Sequence, residues 1–180
     1  MKRAVNCGLV KADNMKQAIL LLSFGTPRQP SDLLPYLTSI RRGKIPTERE
    51  LEILTARYDA IGQWDNKLLQ TMGEEQKKTL ESLLEIDAMY LAYLHMPNSM
   101  EHAIESIVAA GYTSILCIVT SPFYSAVGTG AYERKLQSIL QAYPNISYEC
   151  IQSWWNRPQF FEYWSSQLMA ICLLYTSDAA

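Results

Sequence analysis

Gln17-Ala18-Ile19-Leu20-Leu21-Leu22-Ser23-Phe24-Gly25-Thr26-Pro27 decides how the rest of the chain is read. Ala18 to Ser23 are apolar or small and show no alternation of character. A strand with one wet face would alternate, so this run suits a strand covered on both faces, as in a parallel sheet between helices. It stops at Gly25-Thr26-Pro27. Glycine opens backbone angles that other residues resist, and proline removes a donor. In open α/β sheets ligands bind just beyond the carboxyl ends of the strands, which makes Phe24 to Pro27 the first candidate wall of a site. The stretch is no phosphate loop, since one glycine does not make G-x-G-x-x-G and no Gly-Lys-Ser/Thr follows.

Downstream, helical and strand patterns alternate. A helix is expected from about Ser31 to Arg42, with Leu33, Leu34, Leu37 and Ile40 on its apolar face, Ser31 as cap and Gly43 as stop. It ends in the basic cluster Ile40-Arg41-Arg42-Gly43-Lys44. Thr47-Glu48-Arg49-Glu50 has the form of a capping box. The helix it starts presents Leu51, Leu54, Tyr58 and Ile61, and Gly62 closes it. A longer helix, about Lys67 to Leu84, should turn Leu68, Leu69, Met72, Leu80 and Leu83 inward. A second strand at about Ala88–His95 leads to a helix capped by Pro97-Asn98-Ser99, with Ala103, Ile104, Ile107 and Val108 buried. A third strand, Ser114–Thr120, runs into the small-residue loop Ser121–Gly128 and a helix to about Ala142. A fourth strand, Ile146–Gln152, and a last helix with Phe160, Phe161, Trp164 and Leu168 complete the pattern. Strands alternating with helices imply right-handed βαβ crossovers and a parallel sheet. The expected fold is therefore α/β, a Rossmann-like three-layer domain around four parallel strands.

The chain has 180 residues, 48% of them hydrophobic, and a net charge of −2. That is ample for a core and gives no reason to expect a nucleic-acid partner. No apolar run is long enough to span a bilayer, and the N-terminus lacks the apolar core of a signal peptide. A soluble cytoplasmic protein is expected, with a peripheral membrane contact left open. Cys7, Cys117, Cys150 and Cys172 form no C-x-x-C pair, and Cys117 and Cys150 fall inside apolar strand patterns, where cysteine is a small hydrophobe. Residues 1–14 have no period and read as an N-terminal extension, poorly ordered, ahead of a second start-like residue, Met15. Residues 15–171 form the domain. From Cys172 the helical pattern dissolves, and residues 172–180 read as a non-native tail resembling translated vector sequence.

Four segments now match one family in order, spacing and strand context. They are Leu22-Ser23-Phe24-Gly25-Thr26-Pro27, Ile40-Arg41-Arg42-Gly43, Ala56-Arg57-Tyr58-Asp59-Ala60-Ile61-Gly62, and Ser121-Pro122-Phe123-Tyr124-Ser125 followed by Tyr132. Together they resemble the N-terminal half of ferrochelatase, with an arginine pattern more like the coproporphyrin-type enzymes of Gram-positive bacteria. The resemblance implies a lyase of haem biosynthesis that inserts ferrous iron into a porphyrin, coproporphyrin III or protoporphyrin IX, held between two Rossmann-like halves. It implies no permanently bound cofactor, with porphyrin and ferrous iron as the partners. Only the first half would be present; the family's metal-binding histidine and its acidic partner would lie in the second, so this chain is expected to be an incomplete fragment, inactive alone, that carries no metal ligands.

The resemblance marks Phe24, Arg41, Arg42, Arg57, Asp65, Tyr124, Ser125 and Tyr132 as porphyrin contacts. Each has a plainer reading beside it. Arg41 and Arg42 could be cations favoured at a helix C-terminus, or the planar forks that pair propionates. Arg57 is a solvated helix charge or a further propionate contact. Phe24 departs from the tyrosine usual in coproporphyrin-type enzymes; it has no oxygen to offer a metal and reads as a stacking wall or a core aromatic. Gln63-Trp64-Asp65-Asn66 replaces a Gly-x-Ser-Pro loop, which puts a carboxylate where a serine would meet the ligand. Ser125 could cap the next turn, and Tyr132 could be packing. His95 and His102 lie on different elements and read as a strand-end and a surface imidazole rather than metal ligands. Two alternatives stand beside the chelatase reading: a porphyrin-binding module without catalysis, and a relative that loads another metal into another tetrapyrrole.

Overall fold

The structure is a computed structural model that describes residues 16–62, 64, 68–86 and 88–177, and the side chains of those up to 171. Four strands, β1 (Gln17–Ser23), β2 (Met89–Tyr93), β3 (Ser114–Val119) and β4 (Ser147–Ile151), form one sheet in the order β2-β1-β3-β4. Every pairing is parallel, with Leu20 beside Tyr90, Leu22 beside Val119 and Cys117 beside Cys150. The unalternating run of β1 lies in the two central positions' contact zone: Ala18, Leu20, Leu21 and Leu22 are all buried. This is the sheet expected from the sequence.

Successive side chains of a strand point to opposite faces. Ala18, Leu20 and Leu22 of β1 and Ile115, Cys117 and Val119 of β3 share one face, and they join one core cluster with two helices. These are α4 (Ser99–Ala109), through Met100, Ala103, Ile104 and Ile107, and α5 (Thr129–Leu140), through Tyr132, Leu136 and Leu140. The other face of β2 meets α3 (Leu68–Leu84). A Cβ built on Gly73 of α3 would stand 3.1 Å from Leu91 Cδ2 and 3.2 Å from the Tyr93 hydroxyl. Helices thus cover both faces, as a three-layer α/β domain requires.

Gly73 also corrects the expected inward face of α3. Leu68, Leu69, Met72 and Leu83 are exposed, Leu80 is half-buried, and Gly73 is the buried residue. The backbone comes closest to the sheet where a side chain is missing, so the large apolar residues are turned to the flanks. Gly73→Val is expected to lower stability by about 1–3 kcal/mol, the usual cost of overpacking, read as a lower urea midpoint. An unchanged midpoint would mean that α3 rides loosely on β2.

The first helix is also shorter than its pattern. A 3-10 turn, Pro30–Asp32, precedes α1 (Leu33–Ile40), in which Leu33 and Tyr36 are buried while Leu34 and Ile40 are exposed. Pro35 falls in the first turn, where its missing N–H is not needed. Ser31 does not cap; the Asp32 carboxylate accepts from the Arg28 N–H at 3.0 Å. α2 (Glu48–Ala60) starts with the expected capping box, Thr47 and Glu50 each bonding the other's backbone N–H. No residue of α2 is buried, and Ile61 is exposed, so its apolar face borders an opening rather than the core. Asn98 stands before α4 in a left-handed conformation without a side-chain cap, and the Ser99 hydroxyl instead accepts from the Tyr93 N–H at 3.0 Å.

α6 (Pro158–Ser177) continues past Cys172, where the sequence pattern was expected to fail. Its Phe161, Trp164 and Leu168 are exposed. The expected extension at residues 1–14 and the last three residues, 178–180, lie outside the described residues. No helix among the described residues is long and apolar enough to cross a membrane. Cys117 and Cys150 are free thiols, and burial pushes both up, Cys150 to about 11.

Candidate functional site

Parallel register brings the carboxyl ends of β1 and β3 to one edge. The Thr120 N–H and hydroxyl both donate to the Leu22 carbonyl, at 2.9 and 3.2 Å. Phe24 and the loop after Thr120 therefore leave the sheet side by side. Gly25 turns the chain there at φ +88°, a region most side chains avoid. Phe24 is 49% exposed, and its ring lies 4.4 Å from His95 and 6.4 Å from Tyr36, centroid to centroid.

Beside Phe24 opens a cavity of about 690 Å³, lined among others by Gly25, Arg28, Tyr36, Tyr58 and Tyr93. Burial, and then the neighbouring Tyr58, push the Tyr36 phenol up, so it stays a neutral donor. Tyr93 shifts the same way, again mainly by burial. A second cavity, about 570 Å³, lies under α3 between Leu21, Met72, Leu80, Ile118 and Trp154. Of the described residues marked as porphyrin contacts, Phe24 lines the first cavity, together with Gly25 and Thr26 of the expected wall, and none lines the second. Arg28 and Tyr36 were missed, and Tyr58, though part of a matching segment, was given no place in the site. The signal for the first two was available: Arg28 follows Gly25-Thr26-Pro27 directly, and Tyr36 lies three residues after Leu33 on the same helix face.

The basic cluster closes α1. Arg42 and Gly43 take left-handed angles, φ 55° and 90°, and the Gly43 N–H donates to the Thr38 carbonyl at 2.8 Å. Arg41 Nη1 donates to Glu50 Oε2 at 2.7 Å, the same oxygen that receives the Thr47 N–H and hydroxyl. The pair joins the end of α1 to the start of α2. Arg42 and Arg57 are exposed.

Glu50 is held down at about 2, first by the Arg41 hydrogen bond and then by Thr47. A lowered carboxylate contributes fully above its ordinary value of 4.5, and the contribution is lost as pH falls to about 2. The Glu50 side-chain carbon is therefore expected to titrate near pH 2 by NMR. A midpoint near 4.5 would show that the pair with Arg41 does not form.

In the loop after β3, Phe123 and Tyr124 are exposed. The Ser125 Oγ accepts from the Gly128 N–H at 2.8 Å, and its backbone N–H donates to Thr129 Oγ1 at 2.9 Å. Ser125 thus does organise the turn into α5. Tyr132 is in the core, and burial pushes its phenol up to about 12. Asp65 lies outside the described residues. His95 Nδ1 lies 2.9 Å from Ser39 Oγ, and burial, with Lys135 second, lowers its pKa. Among the described residues no three His, Cys, Asp or Glu side chains gather as a metal-binding group.

This is a parallel α/β domain whose carboxyl edge carries exposed aromatic side chains and a tyrosine-lined cavity, with a basic turn closing α1. Comparison with known proteins gives it a family. The ferrochelatase family model matches residues 16–173, and the chain belongs to the ferrochelatase family. A coproporphyrin III ferrochelatase of Staphylococcus epidermidis is 34% identical over 155 residues, covering 83% of this chain and 50% of the relative. One from Staphylococcus aureus is 30% identical over 158 residues, covering 85% and 51%. The chain spans about half the length of the curated relatives it matches.

Proposed function

We propose that this chain supplies the porphyrin-anchoring wall of a ferrochelatase of haem biosynthesis, a lyase that inserts ferrous iron into coproporphyrin III. The observation that carries the reading is the shared edge. Phe24 and the Phe123–Ser125 loop leave adjacent strands together, within a chain matched to ferrochelatase over residues 16–173. The relatives' names support coproporphyrin III as the substrate.

The chemistry asks for a held macrocycle and an acceptor for the two pyrrole protons displaced as the metal enters. Phe24 and Tyr124 offer flat faces for stacking. Arg41, Arg42 and Arg57 offer guanidinium forks for propionates. Arg41 keeps several of its five donors after pairing Glu50, so it can still meet a propionate while Glu50 competes for its charge. The Ser125 hydroxyl already accepts from Gly128, which leaves its own proton to donate to a carboxylate. Tyr132 serves by packing beneath α5. Holding the porphyrin away from its preferred planarity would expose nitrogen lone pairs, at the expense of binding free energy elsewhere.

The test is an anaerobic assay of the full-length protein with ferrous iron and either coproporphyrin III or protoporphyrin IX, against a no-protein control. Loss of free-porphyrin fluorescence, faster with coproporphyrin III, is the expected result. Tight porphyrin binding without insertion would favour a non-catalytic module, and preference for cobalt or nickel would favour a different chelatase.

A further inference from the structure

We propose that His95 is a positioning residue, clamping the last turn of α1 to the carboxyl edge of the sheet through Ser39 and so fixing where Arg41 and Arg42 stand. The link from the arginines to porphyrin rests on the function proposed above; the clamp rests on geometry alone.

Three contacts hold His95 at the meeting point of β1, β2 and α1. Its backbone N–H donates to the Phe24 carbonyl at 3.1 Å, which continues the parallel ladder beyond the strands. Its ring packs edge-on against Phe24 at 4.4 Å and faces Tyr36 at 6.4 Å. Its Nδ1 reaches Ser39 Oγ at 2.9 Å. The backbone bond and the Phe24 ring fix the imidazole relative to the sheet, the Tyr36 ring sets it against the first half of α1, and the Ser39 contact alone reaches the last turn of that helix.

The helix needs such a tie at its far end. α1 has eight residues and is about 12 Å long at 1.5 Å per residue. Its buried side chains, Leu33 and Tyr36, are in its first half, whereas Ser39 and Ile40 in the last turn are exposed. Arg41 follows Ser39 by two residues, and the Gly43-to-Thr38 hydrogen bond closes the turn around both arginines. Rotation of the last turn would therefore carry the arginines with it. A neutral imidazole has one donor and one acceptor nitrogen, and a hydroxyl can serve either. Burial favours that neutral form here. A histidine that only filled space at a strand end would be replaceable by another ring, which separates the two roles.

The experiment uses the full-length protein with His95→Phe, His95→Asn, Ser39→Ala and the double variant His95→Phe/Ser39→Ala. Phenylalanine keeps the ring packing and loses the hydrogen bond; asparagine keeps a polar atom near the Nδ1 position. His95→Phe and Ser39→Ala are each expected to raise KM for coproporphyrin III roughly three- to tenfold, the range for one lost hydrogen bond. KM for ferrous iron and kcat should stay near wild type. The double variant should be no worse than either single one, and His95→Asn, which regains a polar atom but loses the ring contacts, should recover part of the loss seen in His95→Phe. Amide hydrogen exchange at residues 41–43 should speed up in parallel. Unchanged KM and unchanged exchange in His95→Phe would overturn the proposal. So would a fall in kcat at constant KM, which would give His95 a part in the chemistry itself. If wild type inserts no iron, the proposed function fails, and exchange at residues 41–43 still decides the clamp.

Discussion

Gly25→Ala is expected to lower stability by about 2–5 kcal/mol and to abolish measurable porphyrin binding. Two costs add. Gly25 has φ +88°, where a Cβ meets the chain's own backbone, at about 1–2 kcal/mol. The added Cβ would also stand 2.9 Å from Met96 Cγ and 2.9 Å from Tyr93 Cβ. Met96 is buried and has little room to retreat, while Tyr93 Cβ is attached directly to β2. Relief must come from moving one strand end against the other, with about 1–3 kcal/mol of overpacking. The displaced segment carries Phe24 and lines the larger cavity, so the wall moves with it. Gly62→Ala is the control: it has φ +65° but open space around the added Cβ, and should show the conformational cost alone. Urea midpoints and porphyrin fluorescence titration of both variants check this. Equal losses in the two would show that the contacts with Met96 and Tyr93 do not matter.

Arg41→Glu should weaken porphyrin binding by more than tenfold and leave KM for iron unchanged. Removing a charge-assisted hydrogen bond costs about 1.5–3 kcal/mol, or roughly ten- to hundredfold in affinity. Reversal goes further, because a carboxylate there repels both propionates and Glu50, its present partner at 2.7 Å. Glu50→Gln separates these effects. It removes the competing anion while keeping an acceptor for Thr47, so porphyrin binding should hold or tighten by up to about threefold, within the range of an exposed ion pair. If Glu50→Gln weakens binding as much as Arg41→Glu does, Arg41 acts by holding α1 to α2 rather than by meeting the ligand.

The strand at Gln17–Ser23 could be read from the sequence because burial on both faces leaves an unbroken apolar run, a local signal that no neighbour has to supply. The capping box at Thr47 and Glu50 was legible for the same reason: its donors and acceptors lie within three residues. The alternation of strands and helices then fixed a parallel sheet, and four motifs in order pointed to the family. The face of α3 could not be read this way. Its Leu68, Leu69 and Met72 satisfy helical periodicity, yet Gly73 lets the backbone approach Leu91 and Tyr93, and closeness of approach is decided by both surfaces. Tyr132 and Tyr124 show the same division. Both are tyrosines near one loop, but only the packing of α5 on the sheet sends Tyr132 into the core and leaves Tyr124 exposed. Arg41's partnership with Glu50, and the meeting of Ser39 with His95 across 56 positions, depend on how α1, α2 and β2 come together at one edge. Sequence determines an element when its neighbours along the chain carry the physical signal; a site assembled from three elements exists only once they have packed.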